Sequence, residues 1–310
     1  MTQTLLETHT FRKIPRRLAS VCTLDNLRVI RSRACKTRLK TLSHASFIKG
    51  VILSAFSKES AGVSKRTVIV HYHLFKNAGS SVDKILRENF PNSWAEIEGV
   101  GNTKLEPPAL LDFIRKAPHL NAVSSHTAIV QVPQTEDINI LPIIFMRHPI
   151  DRIRSAYQFE RNQDVETPGA IQAKKGDFTD YMNWRLSTPT PWQVKNFHAQ
   201  RLKDFNGFTP AHNPSAVRDA AFAALEHFPM IGQVEKFNAS MSVYRDIIGL
   251  HFPDFEIFAA QENTTTDPEK GLTENLAMFA DTIGQDTYDQ LVALNDMDFA
   301  LYNRLSLRFT

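Results

Sequence analysis

Three side chains of this sequence stand where an apolar run gives way to a turn and are of types that could do chemistry: Lys76, His126 and Arg147. Lys76 lies in Phe75-Lys76-Asn77-Ala78-Gly79-Ser80-Ser81, preceded by the β-rich run Val68-Ile69-Val70 and followed by Val82, Ile85, Leu86 and Phe90 at helical spacing. The pattern predicts a buried strand, a tight turn and a helix. Ser80 and Ser81 then stand near a helix N-terminus, where unpaired N–H groups and the positive end of the macrodipole favour an anion. The loop is not a Walker A motif, because Lys76 precedes the single Gly79 instead of following a second glycine. Taken alone, it also fits an ordinary strand-to-helix connection with serine caps.

The elements that would position these groups follow in order. A helix is expected over Ala109 to Lys116, and a short buried strand over Ala122 to Ser125 delivers His126. A clearer strand, Leu141 to Met146, ends at Arg147-His148-Pro149, and Pro149 suits the first position of a helix continued by Ile150, Ile153, Ala156 and Tyr157. The rest is mainly helical in pattern: Phe178 to Trp184, Trp192 to Phe205, Ser215 to His227, Ser240 to Ile248 and Asp286 to Arg304, with one more strand at Met230 to Val234. Gly169 to Asp177 and Asn263 to Gly271 are polar and expected as loops. The fold class is α/β, a parallel sheet flanked by helices with a largely helical C-terminal half, and ligands of such sheets bind at the carboxyl ends of the strands.

Composition is that of an ordinary globular chain, 310 residues with 42% hydrophobic and 22% charged, without repeats. Charge is uneven. Fourteen lysines and arginines face three acids in residues 1–66, an excess of +11 in a chain whose net is +3, so residues 67–310 carry −8. The organisation expected is therefore a basic N-terminal segment, 1–66, and a body, 67–310. The segment has the charge to make weak contact with an anionic surface and the composition of a transit peptide, and it equally fits a poorly ordered tail or a mis-set start. Both cysteines, Cys22 and Cys35, lie in it, which excludes a disulfide framework or a thiolate nucleophile in the body. No apolar run reaches the ~20 residues of a membrane span, so a soluble, cytoplasmic-type location is expected. His71 and His73 share a strand face without a third group to complete a metal site, and no metal is expected.

The two junctions together resemble the sulfotransferases that use PAPS, in particular the carbohydrate branch with a P-loop-like fold. Lys76 to Ser81 looks like that family's 5′-phosphosulfate loop; Arg147-His148-Pro149-Ile150-Asp151-Arg152 with Ser155-Ala156-Tyr157 looks like its 3′-phosphate motif, arginine and serine eight positions apart. Asn196, Gln200 and Arg201, then Gly232, Glu235, Phe237 and Ser240, then Asp298, Leu301 and Tyr302, match later blocks, so the resemblance covers roughly residues 67 to 304. His148 departs from the Asp or Asn usual between the arginine and the proline.

The resemblance implies a sulfuryl transfer from PAPS to a hydroxyl of a carbohydrate, leaving PAP. Lys76 would stabilise the departing bridging oxygen, Asn77, Ala78, Gly79, Ser80 and Ser81 would hold the 5′ end, and Arg147 and Ser155 the 3′-phosphate. Arg152 and Arg154 are expected as surface or ion-pair residues. His126 is the expected base, similar to that of the uronyl 2-O-sulfotransferases, with Glu96 and Glu98 as competitors. The acceptor pocket would come from loops around Gln163 to Asp177 and Pro189 to Lys195, with Lys174, Lys175, Trp192 and Lys195 as the hints of an anionic or sugar ligand. No nucleic-acid partner is expected for the body. The other classes considered are a P-loop-type kinase or NTPase and a non-catalytic nucleotide-binding interaction protein.

Overall fold

A computed structural model describes residues 65–188, 193–258 and 271–309. The basic segment up to residue 64, with both cysteines, and the stretches 189–192 and 259–270, with Trp192 and most of the expected loop from Asn263, lie outside those residues.

Five strands, β1 (Arg66–Tyr72), β2 (Trp94–Glu96), β3 (Ala122–Ser125), β4 (Ile138–Met146) and β5 (Ile231–Gln233), form one sheet in the order β2-β3-β1-β4-β5, every pair parallel. β1 starts at Arg66, which the charge count had assigned to the tail. Its guanidinium donates to the carbonyls of Ile114, Ala117 and Leu120 at the end of the neighbouring helix. Pro142 is tolerated in β4 because β5 pairs only with Ile144–Met146 and leaves the outer side of the earlier residues open.

Both faces of the sheet are covered, as continuous apolar strands require. The helices are α1 (Gly79–Asn89), α2 (Pro107–Lys116), α3 (Pro149–Asn162), α4 (Pro168–Lys175), α5 (Phe178–Ser187), α6 (Phe197–Leu202), α7 (Pro214–His227), α8 (Phe237–Ile248), α9 (Leu272–Ile283), α10 (Gln285–Leu294) and α11 (Asp296–Ser306). Strand alternation sorts the core. Val68, Val70 and Tyr72 pack with Leu110 and Ile114 of α2 and Leu301 and Leu305 of α11, while Ile69 packs with Ile85 and Leu86 of α1 and Met241 and Tyr244 of α8. A third cluster joins Ile150 and Ile153 of α3 to Tyr181 and Met182 of α5 and Phe279 of α9. Among the described residues no helix is long and apolar enough to cross a membrane.

Three expectations needed correction, and two elements had not been expected. Gly169 to Asp177, expected as a loop, is mostly α4: Pro168 opens it, the Thr167 hydroxyl accepts from Ala170 N, and Gly169 lets it close on Glu160, whose carboxylate a Cβ would approach to 2.3 Å. The helix expected from Trp192 to Phe205 shrinks to α6, because Asn196 at φ 42 cannot continue a right-handed turn. The run from Asp286 to Arg304 is two helices parted at Asn295, whose side-chain amide donates to Val194 and Leu291 carbonyls. β2 and α9 had no expectation at all, β2 being only three residues long.

Connectivity places the site. β1 sends the chain through α1 to β2 at one edge, and α2 returns it to β3; β4 lies on the other side of β1 and leads onward to β5. Successive connections therefore diverge between β1 and β4, opening the crevice at their carboxyl ends where doubly wound sheets take ligands.

Candidate active site

Arg147 follows β4 directly, and Lys76 stands four residues past the end of β1. The loop after β1 is held in an unusual backbone: Lys76 (φ 62) and Ala78 (φ 60) are both left-handed, which costs roughly 1–3 kcal/mol at a non-glycine residue. Ala78 is the N-cap of α1, and no side chain caps that end. Gly79, Ser80 and Ser81 open the helix, Gly79 and Ser81 buried and Ser80 half-buried; the Ser81 N–H turns back to the Ala78 carbonyl at 3.1 Å, and the Ala78 side chain caps none of the first-turn N–H groups.

What fixes the strained loop is a buried relay. Asn77 donates its amide to the Phe75 carbonyl at 2.9 Å and meets His198 Nε2 of α6 through Oδ1 at 2.9 Å. His198 Nδ1 lies 2.9 Å from Asp298 of α11, and that carboxylate also accepts the backbone N–H groups of His198 and Ala199 at 2.8 Å. Burial works against the charge on Asp298, but the His198 and Ala199 donors hold its carboxyl below the usual range. Asn196 completes the seam, its Oδ1 accepting Met297 and Asp298 N–H. The matched residues Asn196 and Asp298 thus act as framework for the lysine loop.

The Lys76 ammonium lies 4.6 Å from the centre of the Phe159 ring, and Phe75 meets the same ring edge-on. Burial lowers its pKa, and the charge of Arg147 lowers it further, so the two cations sense each other across the crevice. Among the described residues no carboxylate pairs with Lys76.

Arg147 is held differently. Its Nε donates to Asp151 at 2.5 Å, one turn into α3, and Arg154 holds the other Asp151 oxygen at 3.0 Å. Ser155, two turns along, is fully buried. Arg154 is an ion-pair residue, as expected. Among the described residues Arg152 is neither surface nor ion-paired: it is the largest fully buried side chain there, bonded to the Gln193 carbonyl and lying 4.1 Å over Phe197. Burial brings its pKa down to about 10. His148 sits edge-on to Phe299 and Tyr302, and its backbone N–H donates to Glu235 at 2.8 Å. Burial pushes its imidazole down to about 4, so an uncharged ring occupies the place where the resemblance expects Asp or Asn.

His126 stands at the end of β3, with Glu96 ending β2 and Glu98 just beyond it. Glu98 Oε1 accepts from His126 Nδ1 and from its backbone N–H, both at 2.8 Å, and Glu96 approaches the same Nδ1 at 3.2 Å. Glu98 also takes the Thr127 N–H and hydroxyl. Burial disfavours its charge, yet the Thr127 and His126 donors keep the carboxyl below its ordinary value. The two glutamates expected as rivals of His126 are its neighbours, leaving Nε2 as the ring's other nitrogen.

The expectation that His71 and His73 lack a third group is overturned by Asp83 of α1, which accepts from His71 Nδ1 at 2.6 Å and from His73 Nδ1 at 2.8 Å. Despite burial, those two rings hold its carboxyl far below the usual range. Asp83 carried a signal that sequence reading passed over: an acid beside Val82 on the apolar side of a helix needs a partner. His198 carried none, since its two partners lie at the ends of distant elements. Lys174, Lys175 and Lys195 are exposed and near no described site residue by hydrogen bond.

One ammonium, a docked guanidinium and a carboxylate-held imidazole stand together at the carboxyl edge of a parallel sheet, where such sheets take their ligands, and are of types that could serve group transfer. The chain belongs to the sulfotransferase family, whose model matches residues 60–303. It is also similar to a protein of Archaeoglobus fulgidus named only as an uncharacterized protein, 35% identical over 252 residues that make up 77% of this chain and 96% of that one.

Proposed function

We propose that this sulfotransferase takes its sulfuryl group from PAPS and delivers it to a hydroxyl, with a saccharide as the acceptor. The observation that carries the donor is the pairing of Lys76 and Arg147 at the ends of adjacent strands, near enough for one to depress the other's pKa. A nucleotide with anionic groups at both ends of its ribose needs two cationic grips. The saccharide rests on the resemblance of the His126 junction to the uronyl 2-O-sulfotransferase branch.

In this reading Gly79 and Ser80 offer N–H groups, and Ser80 and Ser81 hydroxyls, to the 5′-phosphate, with Asn77 and Ala78 shaping the turn. Arg147 and Ser155 take the 3′-phosphate. The acceptor oxygen attacks sulfur while the bond from sulfur to the bridging oxygen breaks, its electron pair staying on PAP. Lys76 stabilises that developing charge. The acceptor's proton passes to Nε2 of His126, whose Nδ1–H is held by Glu98, and from there to solvent.

Calorimetric titration with PAP, followed by transfer from [35S]PAPS to a panel of desulfated polysaccharides, tests both halves. Saturable PAP binding and label in a polysaccharide are expected. No PAP binding at millimolar concentration ends the donor reading; binding with label only in small phenols or alcohols ends the saccharide reading.

A further inference from the structure

His73 has no role in the scheme above, yet it is placed against both ends of it. Its ring lies 3.9 Å, centroid to centroid, from the ring of His126, tilted by 30°. Its Cδ2–Nε2 edge abuts Gly79, where a Cβ would come within 2.0 Å, so the imidazole rests on the first turn of the cradle helix. Because the Asp83 carboxylate is ionised and acceptor-only, the proton of the 2.8 Å bond sits on His73 Nδ1. Each of the two facing rings is therefore held at Nδ1 by a carboxylate, His73 by Asp83, which His71 shares, and His126 by Glu98.

We propose that His73 is a positioning residue for the proton transfer: a neutral imidazole, locked by Asp83, whose face receives the imidazolium that forms on His126, so that the pair carries one positive charge and never two. The inference rests on the sulfuryl-transfer reading. An imidazole that donates to a buried carboxylate has an electron-rich face, and such a face attracts a cation stacked on it. A second proton on His73 would set two like charges within 4 Å and against the positive end of a helix. Burial lowers the His73 pKa; Asp83 pulls it up, the charges of His71 and His126 pull it down, and the net shift is downward. The groups facing the pair are Asp83 from α1, His71 from β1, and Glu96 and Glu98 from the end of β2 onward. Gly79 permits the contact, which joins the acceptor's base to the donor's cradle through one ring.

The test uses the full chain with 13C,15N-labelled histidine, reading ring tautomer and titration midpoint by NMR. His73→Asn keeps an N–H donor for Asp83 and removes the ring face; His73→Phe keeps a face and loses the donor. In the wild type His73 is expected neutral, protonated at Nδ1, at pH 7. In His73→Asn the His126 midpoint is expected to fall by roughly half a unit to one unit. The acid limb of [35S]PAPS turnover, with water as acceptor, should move down with it while the plateau rate falls about three- to tenfold and PAP affinity stays within twofold. His73→Phe should shift the midpoint less. A His126 midpoint that stays put or rises in His73→Asn, or a wild-type His73 protonated at Nε2, overturns the inference. Failure of the wild type to bind PAP would instead remove the donor reading and leave the NMR result standing.

Discussion

Lys76 and Arg147 sit at equivalent places, each just past the carboxyl end of a central strand, but their charges are held in opposite ways. Arg147 is compensated within its own helix, with Nε bonded to Asp151 and Arg154 bonded to the other oxygen. Lys76 has an aromatic face, a lowered pKa and a left-handed backbone, and its loop is braced from below by Asn77, His198 and Asp298. A compensated guanidinium is a fixed docking point whose orientation is set before a ligand arrives. A partly buried ammonium with no carboxylate partner among the described residues keeps its charge for whatever anion enters, and the strain of its loop is carried by a buried network. Under the proposed function, the contrast would give binding mainly to the first and charge stabilisation during transfer mainly to the second.

The largest expected effect breaks the contrast most directly. Lys76→Met should lower [35S]PAPS turnover by about 10³-fold while weakening PAP binding by less than about tenfold; equal losses in both would mean the two cations do the same job. Next comes the brace. Asp298→Asn places an amide where three donors expect a carboxylate, and urea unfolding should show a loss of about 3 kcal/mol with reduced turnover. A stable variant with an unaffected rate would show that the Asn77 relay does not hold the loop. Arg147→Lys keeps the charge and loses the planar fork, so PAP affinity should fall about 10- to 100-fold while the rate at saturating donor changes little.

The smallest effect concerns the residue beside the docking point. With His148 pushed down to about 4 in the folded state and 6.5 as its ordinary value, the unfolded chain binds the proton first as pH falls. Stability from this group is complete above pH 6.5 and declines as pH drops toward 4. Between pH 6.5 and 5.5 the wild type should lose about 1 kcal/mol more than His148→Asn, measured by thermal unfolding at both pH values. Parallel curves for the two proteins would mean that the ring is not desolvated.

Legibility in the sequence followed the range of the interactions involved. The strand, turn and helix around Lys76 and the strand and helix around Arg147 were readable because apolar period, small residues and Pro149 all act within one turn or one strand. α4 was misread because Gly169 and Ala170 look like loop residues until Glu160 is placed against them. β2 is a strand only because β3 pairs with it. Arg152 looked like a surface charge because nothing in its helix reveals that Phe197 and the Gln193 carbonyl will enclose it.

Local chemistry determined which groups are present: an ammonium before an uncapped helix, a guanidinium four residues from its own carboxylate, and an imidazole at a strand end, since each depends on near neighbours in the chain. The partnerships were decided by the packed fold alone. Glu98 reaches His126 across 28 positions, Asp298 reaches His198 across 100, and His73 meets His126 only because β1 and β3 lie side by side. Pairing strands and stacking helices sets those distances, and no periodicity encodes them.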